Sequence, residues 1–155
     1  FCAETKIPVI LMHKRGNPKT MQKNTMYGSV FDEVNSYLLG RIAYAMKSGI
    51  SKDKIWLDAG IGFGKNTDDN FELVRRCGEL ADGAFPVLMA LSRKSCIGEV
   101  TGQPVEGRLI GTISANLISV LHGASILRVH DVKECVDSMR VLGRCSELPA
   151  EWGTT

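Results

Sequence analysis

Four short apolar runs punctuate the chain: Pro8-Val9-Ile10-Leu11-Met12, Lys54-Ile55-Trp56-Leu57, Phe85-Pro86-Val87-Leu88-Met89-Ala90-Leu91 and Ser125-Ile126-Leu127-Arg128-Val129. Each is nearly continuous rather than alternating, the pattern of strands buried on both faces of a parallel sheet. Between them, apolar positions recur at three- and four-residue steps, as on one face of a helix. Val34, Leu38, Ile42, Ala45 and Met46 trace a first helix, closed by Ser48-Gly49. Phe71, Leu73, Val74 and Leu80 trace a second, with its cap expected near Asp68 or Asp69. Leu109 to Leu121 forms a third, stopped by His122-Gly123, and Val132 to Leu142 a fourth, with Gly143 just beyond it. Strand and helix thus alternate four times, which predicts an α/β fold of parallel βα units. Four units make either a small open sheet or half of an eight-stranded barrel, and both gather chemistry at the carboxyl ends of the strands. The tail, Ser146 to Thr155, has Pro149 and Gly153 and no periodicity, leaving one domain over residues 1–145.

Composition narrows this picture only by exclusion. The chain has 155 residues, 44% of them hydrophobic, enough for one core of ordinary size. Its 19 basic and 17 acidic residues give a net charge of +2, so no global field draws it to nucleic acid or a membrane surface. Five cysteines, odd in number and never in a CxxC pair, predict free thiols in a reducing compartment. No apolar run approaches the roughly 20 residues of a membrane span, and no signal peptide is visible. The expectation is a cytoplasmic protein, or one in an organelle of a eukaryote. The first residue is Phe1 rather than Met, so the expectation is also of a processed, trimmed or partial chain.

Polar residues gather where the apolar runs stop. His13-Lys14-Arg15-Gly16-Asn17 follows the first, Asp58 the second, Ser92-Arg93-Lys94-Ser95 the third, and His130-Asp131 the fourth. Arg128 falls inside the fourth run itself, and a strand buried on both faces would require it to have a partner or ligand. Asp58 opens a glycine-rich stretch, IWLDAGIGFGKN (55–66), that first suggests a phosphate loop. It fails as one. A P-loop needs GxxxxGK and then Ser or Thr, but Ala59 stands at the first glycine and Asn66 follows Lys65. Gly60, Gly62 and Gly64 also lack the GxGxxG spacing of a dinucleotide site. Two readings remain: a glycine-rich loop with a capping acid, or a carboxylate facing a ligand with N–H donors, the glycines allowing close approach. One carboxylate, one lysine and an Arg/His pair at neighbouring strand ends suit a donor-rich ring with a separate anionic group.

Four stretches, LMHKRGNPKTMQ (11–22), IWLDAGIGFGKN (55–66), ALSRKSCIG (90–98) and LRVHDVKE (127–134), closely resemble the dihydropteroate synthases, a folate-pathway family of pterin-binding barrels. RLIGTISAN (108–116) is similar to that family's seventh helix. The resemblance implies a TIM barrel, of which this chain would be the C-terminal half, strands five to eight. It implies condensation of 6-hydroxymethyl-7,8-dihydropterin diphosphate with p-aminobenzoate, releasing diphosphate. Asp58 would then accept hydrogen bonds from the aminopyrimidine edge, and Lys94 would bind ring acceptors and border the p-aminobenzoate site. Met12 and Phe63 would wall the ring, Gly62 would permit close contact, and Arg93 would pack near the substrates. Ser95 would bind the p-aminobenzoate carboxylate, while Arg128 and His130 would hold the diphosphate. The implied cofactor is Mg²⁺, carried mainly by the diphosphate and by residues outside this chain. No residue here is assigned as a metal ligand.

The match departs from the family pattern at Ala59, usually Pro, at Ala90, usually Gly, and at Lys14-Arg15 after His13. The first four strands of the pattern, with their loops, have no counterpart here. The chain is therefore expected to be inactive alone and to need the N-terminal half. It is also expected to form a homodimer through Arg108–Leu121 and Val132–Leu142. A non-catalytic, degenerate pterin-binding or scaffold half barrel is the alternative.

Overall fold

A computed structural model describes residues 1–16 and 26–145. Part of the first resembling stretch, 17–22, and the tail assigned to 146–155 lie outside the described residues. Four strands form one parallel sheet in the order β1 (Val9–Met12), β2 (Ile55–Asp58), β3 (Val87–Met89), β4 (Ile126–Leu127). Chain order and spatial order coincide, so every crossover runs the same way and the helices collect on one face. That is the build of a barrel segment and excludes a doubly wound sheet, whose order reverses at a switch point. The fold is α/β, four βα units amounting to half of a (β/α)8 barrel.

The alternation of side chains separates the two faces. Ile55, Leu57, Val87 and Met89 enter one core cluster with Val34, Leu38 and Ile42 of α2 (Val30–Lys47). Leu73 and Val74 of α3 (Thr67–Arg75) and Ala115 of α5 (Leu109–Leu121) complete that layer. The intervening positions, Ile10, Trp56, Asp58 and Leu88, therefore point to the opposite, inner face. Ile10 is 46% exposed there. Among the described residues β1 and β4 each have a single neighbour, so the sheet ends on two unpaired edges. A smaller cluster of Val120, Cys135 and Met139 joins α5 to α6 (Val132–Cys145).

Several predicted boundaries shift. The α3 cap is Asn66 rather than Asp68 or Asp69: its side chain accepts from the Asp69 N–H at 2.8 Å, and Asp69 returns a bond to the Asn66 N–H. The helix stops at Arg75, where Arg76 leaves helical geometry at φ −118°, and Ala81 and Asp82 take left-handed backbone in the following segment that buries Leu80. α6 runs on past Gly143 to Cys145. The third apolar run yields only three strand residues. α1 (Cys2–Thr5) and α4 (Ser95–Thr101) carry no periodicity long enough to announce them. All five cysteines are free, and among the described residues no helix is long and apolar enough to cross a membrane.

Candidate functional site at the carboxyl ends of the strands

Asp58 closes β2, a central strand, and is 8% exposed. Its Oδ1 accepts the Gly60 N–H at 2.7 Å. Burial pushes this carboxyl above its usual range, opposed by the Gly60 hydrogen bond and by the positive charges of Lys94, Lys65 and Arg128. Met12 lies beside Asp58 in register on β1. From the loop after β3, the Lys94 ammonium sits 4.5 Å from the centre of the Phe63 ring. Burial lowers the Lys94 pKa, with Asp58 pulling the other way. Gly62 has φ of 81°, and a side chain there would press on the Lys94 stem at 3.3 Å. The loop thus uses this glycine for its left-handed turn and to admit Lys94. Asp58, Gly62, Phe63, Lys94 and Met12 come together as one cluster.

The loop itself is held from several sides. Lys65, only 3% exposed, donates to Gly60 O at 2.9 Å and Phe63 O at 3.3 Å, and lies 3.0 Å from His13 Nδ1. Asn70 of α3 accepts the Gly62 N–H at 2.8 Å and donates to Asn66 O at 2.8 Å. The Tyr27 hydroxyl donates to Gly64 O at 2.9 Å. Gly60 has φ of 71°, and a Cβ there would collide with the His13 carbonyl oxygen. Sequence patterning places His13 at a strand end and Lys65 in the glycine-rich stretch, but it signals neither their contact nor Asn70, since these depend on burial of a loop.

The fourth strand's polar residues fall elsewhere than expected. Arg128 is exposed and stands just past the two-residue β4, so the expectation of a buried arginine inside a strand is overturned. Its backbone N–H donates to Met89 O at 3.0 Å, and its charge is felt by Asp58 and Lys94. His130 is also exposed, with Nδ1 2.9 Å from Ser92 Oγ and its N–H donating to the same oxygen at 3.2 Å. Arg93, at φ 58°, makes a two-pronged ion pair with Asp131, Nε to Oδ2 at 3.1 Å and Nη2 to Oδ1 at 2.5 Å. Its guanidinium therefore bridges the β3 and β4 loops. Ser92 and Asp131 were named in the sequence among the polar residues at the strand ends, but without the partners the structure gives them. Ser95 is exposed at the start of α4, where it lines a polar cleft of about 430 Å³ with Lys65, Asn66, Thr67, Asp68, Asn70 and Glu99.

Fold and site together define a class: a βα-barrel segment with charged groups and one aromatic ring gathered where its strands end. Residues 1–130 match the family model for pterin binding enzyme, and the chain belongs to that family. It is 47% identical over 140 residues to dihydropteroate synthase of Escherichia coli K12, covering 90% of this chain and 50% of that protein. It is similar to the crystal structure of dihydropteroate synthase from Stenotrophomonas maltophilia with active-site-bound imidazole, at a TM-score of 0.89 and 38% identity over 95% of this chain and 56% of that one. The Xanthomonas albilineans dihydropteroate synthase in complex with 7,8-dihydropteroate gives a TM-score of 0.85 and 39% identity, covering 96% and 54%. The chain spans about half the length of the curated relatives it matches.

Proposed function

We propose that this chain carries the pterin- and diphosphate-facing part of a dihydropteroate synthase site. The observation that carries the reading is the cluster of Asp58, Lys94 and Phe63: a buried carboxylate coupled to an ammonium that stands over an aromatic face at the strand ends. A carboxylate accepts adjacent N–H groups in a fork, which suits the aminopyrimidine edge of a pterin. Lys94 would donate to ring acceptors, with Phe63 and Met12 against the ring and Gly62 leaving the space. Ser95 would meet the carboxylate of p-aminobenzoate. The Arg93–Asp131 pair supports the site by fixing the loop that carries Lys94 and Ser95.

In the reaction, the methylene C–O bond of the dihydropterin diphosphate breaks and its electron pair leaves with the diphosphate. The amine of p-aminobenzoate forms the new C–N bond and releases a proton. Asp58 would stabilise positive charge on the pterin ring, and the exposed Arg128 and His130 would hold the departing anion. No nucleophilic side chain is required. Among the described residues no three His, Cys, Asp or Glu side chains are grouped to hold a metal ion. Arg128 offers only donors, which fit an anion and not a cation. The Mg²⁺ that the family resemblance implies would be carried mainly by the diphosphate and by residues outside this chain, and no step here depends on it.

A homodimer is proposed through α5 and α6. Ile110, Leu121 and Ile118 leave an apolar stripe exposed on α5, continuous with Val100 of α4.

The test is a calorimetric titration of the chain with 6-hydroxymethylpterin. Binding is expected for the parent, with about a tenfold or greater loss in Asp58→Asn, which keeps shape and removes charge. Arg128→Ala should spare pterin binding and abolish any affinity for inorganic diphosphate. A steady-state assay of these 155 residues alone is expected to show no dihydropteroate formation. Equal pterin affinity in Asp58→Asn and parent would overturn the assignment.

A further inference from the structure

Among the described residues, Lys65 is a buried charged group beside Asp58 that the proposed chemistry leaves unused. It is 3% exposed, yet all three ammonium protons have acceptors: Gly60 O at 2.9 Å, Phe63 O at 3.3 Å and His13 Nδ1 at 3.0 Å. An ammonium only donates, so Nδ1 of His13 is the acceptor and the imidazole is neutral, its proton on Nε2. The ring is held edge-on to Tyr37, with centroids 5.0 Å apart. His13 is also tied to the second strand, its backbone N–H donating to Asp58 O at 3.1 Å. Lys65 thus joins the end of β1, the end of β2 and both sides of the turn that presents Asp58. Gly60 lies at the centre of this arrangement. Its carbonyl takes a bond from Lys65 while its N–H gives one to the Asp58 carboxylate.

We propose that Lys65, with His13 as its acceptor, is a positioning residue that locks the 60–64 turn so that Asp58 is presented to the cleft as an oriented carboxylate. Lys65 touches no substrate in this assignment; it acts through Gly60, and its positive charge favours the ionised form of Asp58. The groups around the ammonium are Asp58 and Asp69 on one side of the balance and Lys94 and Arg15 on the other. Burial outweighs the two carboxylates and brings Lys65 down to about 8, while His13 falls to about 4 through its own burial, then Lys65 and Arg15. The lock is therefore made from a charged lysine and a neutral histidine between these two values. It should open above pH 8 as the ammonium loses its proton.

The proposal rests on the pterin reading for its ligand but can be tested without one. The Gly60 amide, hydrogen-bonded to Asp58, gives an NMR resonance that follows ionisation of the carboxylate. In Lys65→Met, of similar length and uncharged, its acid titration is expected to move to higher pH. 6-Hydroxymethylpterin should bind about tenfold more weakly at pH 7. Should Lys65→Met not fold, the pair His13→Gln and His13→Leu serves instead. Gln retains an acceptor oxygen and should keep the parent's Gly60 titration, whereas Leu should displace it upward. An unmoved Gly60 titration in Lys65→Met, or equal behaviour of the Gln and Leu variants, would sink the proposal whether or not pterin binds. Failure of the parent to bind pterin, with the Gly60 shift intact, would overturn the ligand reading alone.

Discussion

Protonating His13 in the folded chain places a second positive charge 3.0 Å from the Lys65 ammonium in a buried setting. Its pKa is depressed from 6.5 to about 4, so between those values the unfolded chain binds more protons than the folded one. The associated stability is fully present above pH 6.5 and is lost as the pH falls through 4. Its size is at most about 3 kcal/mol. Denaturant melts at a series of pH values should show this acid limb, and His13→Gln should flatten it. Lys65, depressed to about 8, obeys the same sign one window higher: stability rises with pH from about 8 towards 10.5. Asp58 runs the other way. Its raised carboxyl favours the folded state while protonated, and that advantage is lost as pH rises above the ordinary carboxylate range.

At the scale of elements, α3 shows how the loop and the helix after it depend on each other. Asn66 caps the helix through the Asp69 N–H at 2.8 Å and receives Asn70 Nδ2 on its own carbonyl. Asn66→Ala is expected to cost about 1 kcal/mol in thermal or chemical melts and to loosen the glycine turn it adjoins. The cap was misplaced by sequence because three polar residues, Asn66, Asp68 and Asp69, all suit the role, and only the fold selects among them. α5 was legible to the residue, Leu109–Leu121, since its apolar spacing and its stop at His122-Gly123 agree. α4 was not, as seven residues with Gly98 in the middle give no periodic signal; Gly98 is there because the Arg108 guanidinium occupies the space a Cβ would take. The same contrast holds in the site. Asp58 and Lys94 were visible as polar residues interrupting or ending apolar runs. Lys65, Asn70 and the Arg93–Asp131 clasp were hidden, because their importance lies in contacts between loops far apart in sequence.

For the whole molecule, the outer and inner surfaces make different demands. Ile110 is 77% exposed near the start of α5, at one end of its apolar stripe. If the proposed dimer forms through this stripe, Ile110→Glu is expected to shift sedimentation from dimer towards monomer and to remove any concentration dependence of the melting temperature. The inner face carries Ile10 and Trp56 beside Asp58, and the sheet edges at β1 and β4 stay unpaired among the described residues. The open edges favour association through backbone pairing, and the inner face favours it through apolar burial.

The link from Asn70 to the glycine turn also governs how the molecule breathes. Gly62 N–H is held by Asn70, Asn70 stands on α3, and α3 buries Leu73 and Val74 in the main core. Opening of the Gly62 amide is therefore tied to Asn70 and, through it, to the first turn of α3. In amide exchange, Gly62 should be protected like a helix residue rather than a loop residue, and should exchange at the same rate as Asn70. The floor of the cleft would then open as part of the core's own cooperative unit, and not as a loose loop at the surface.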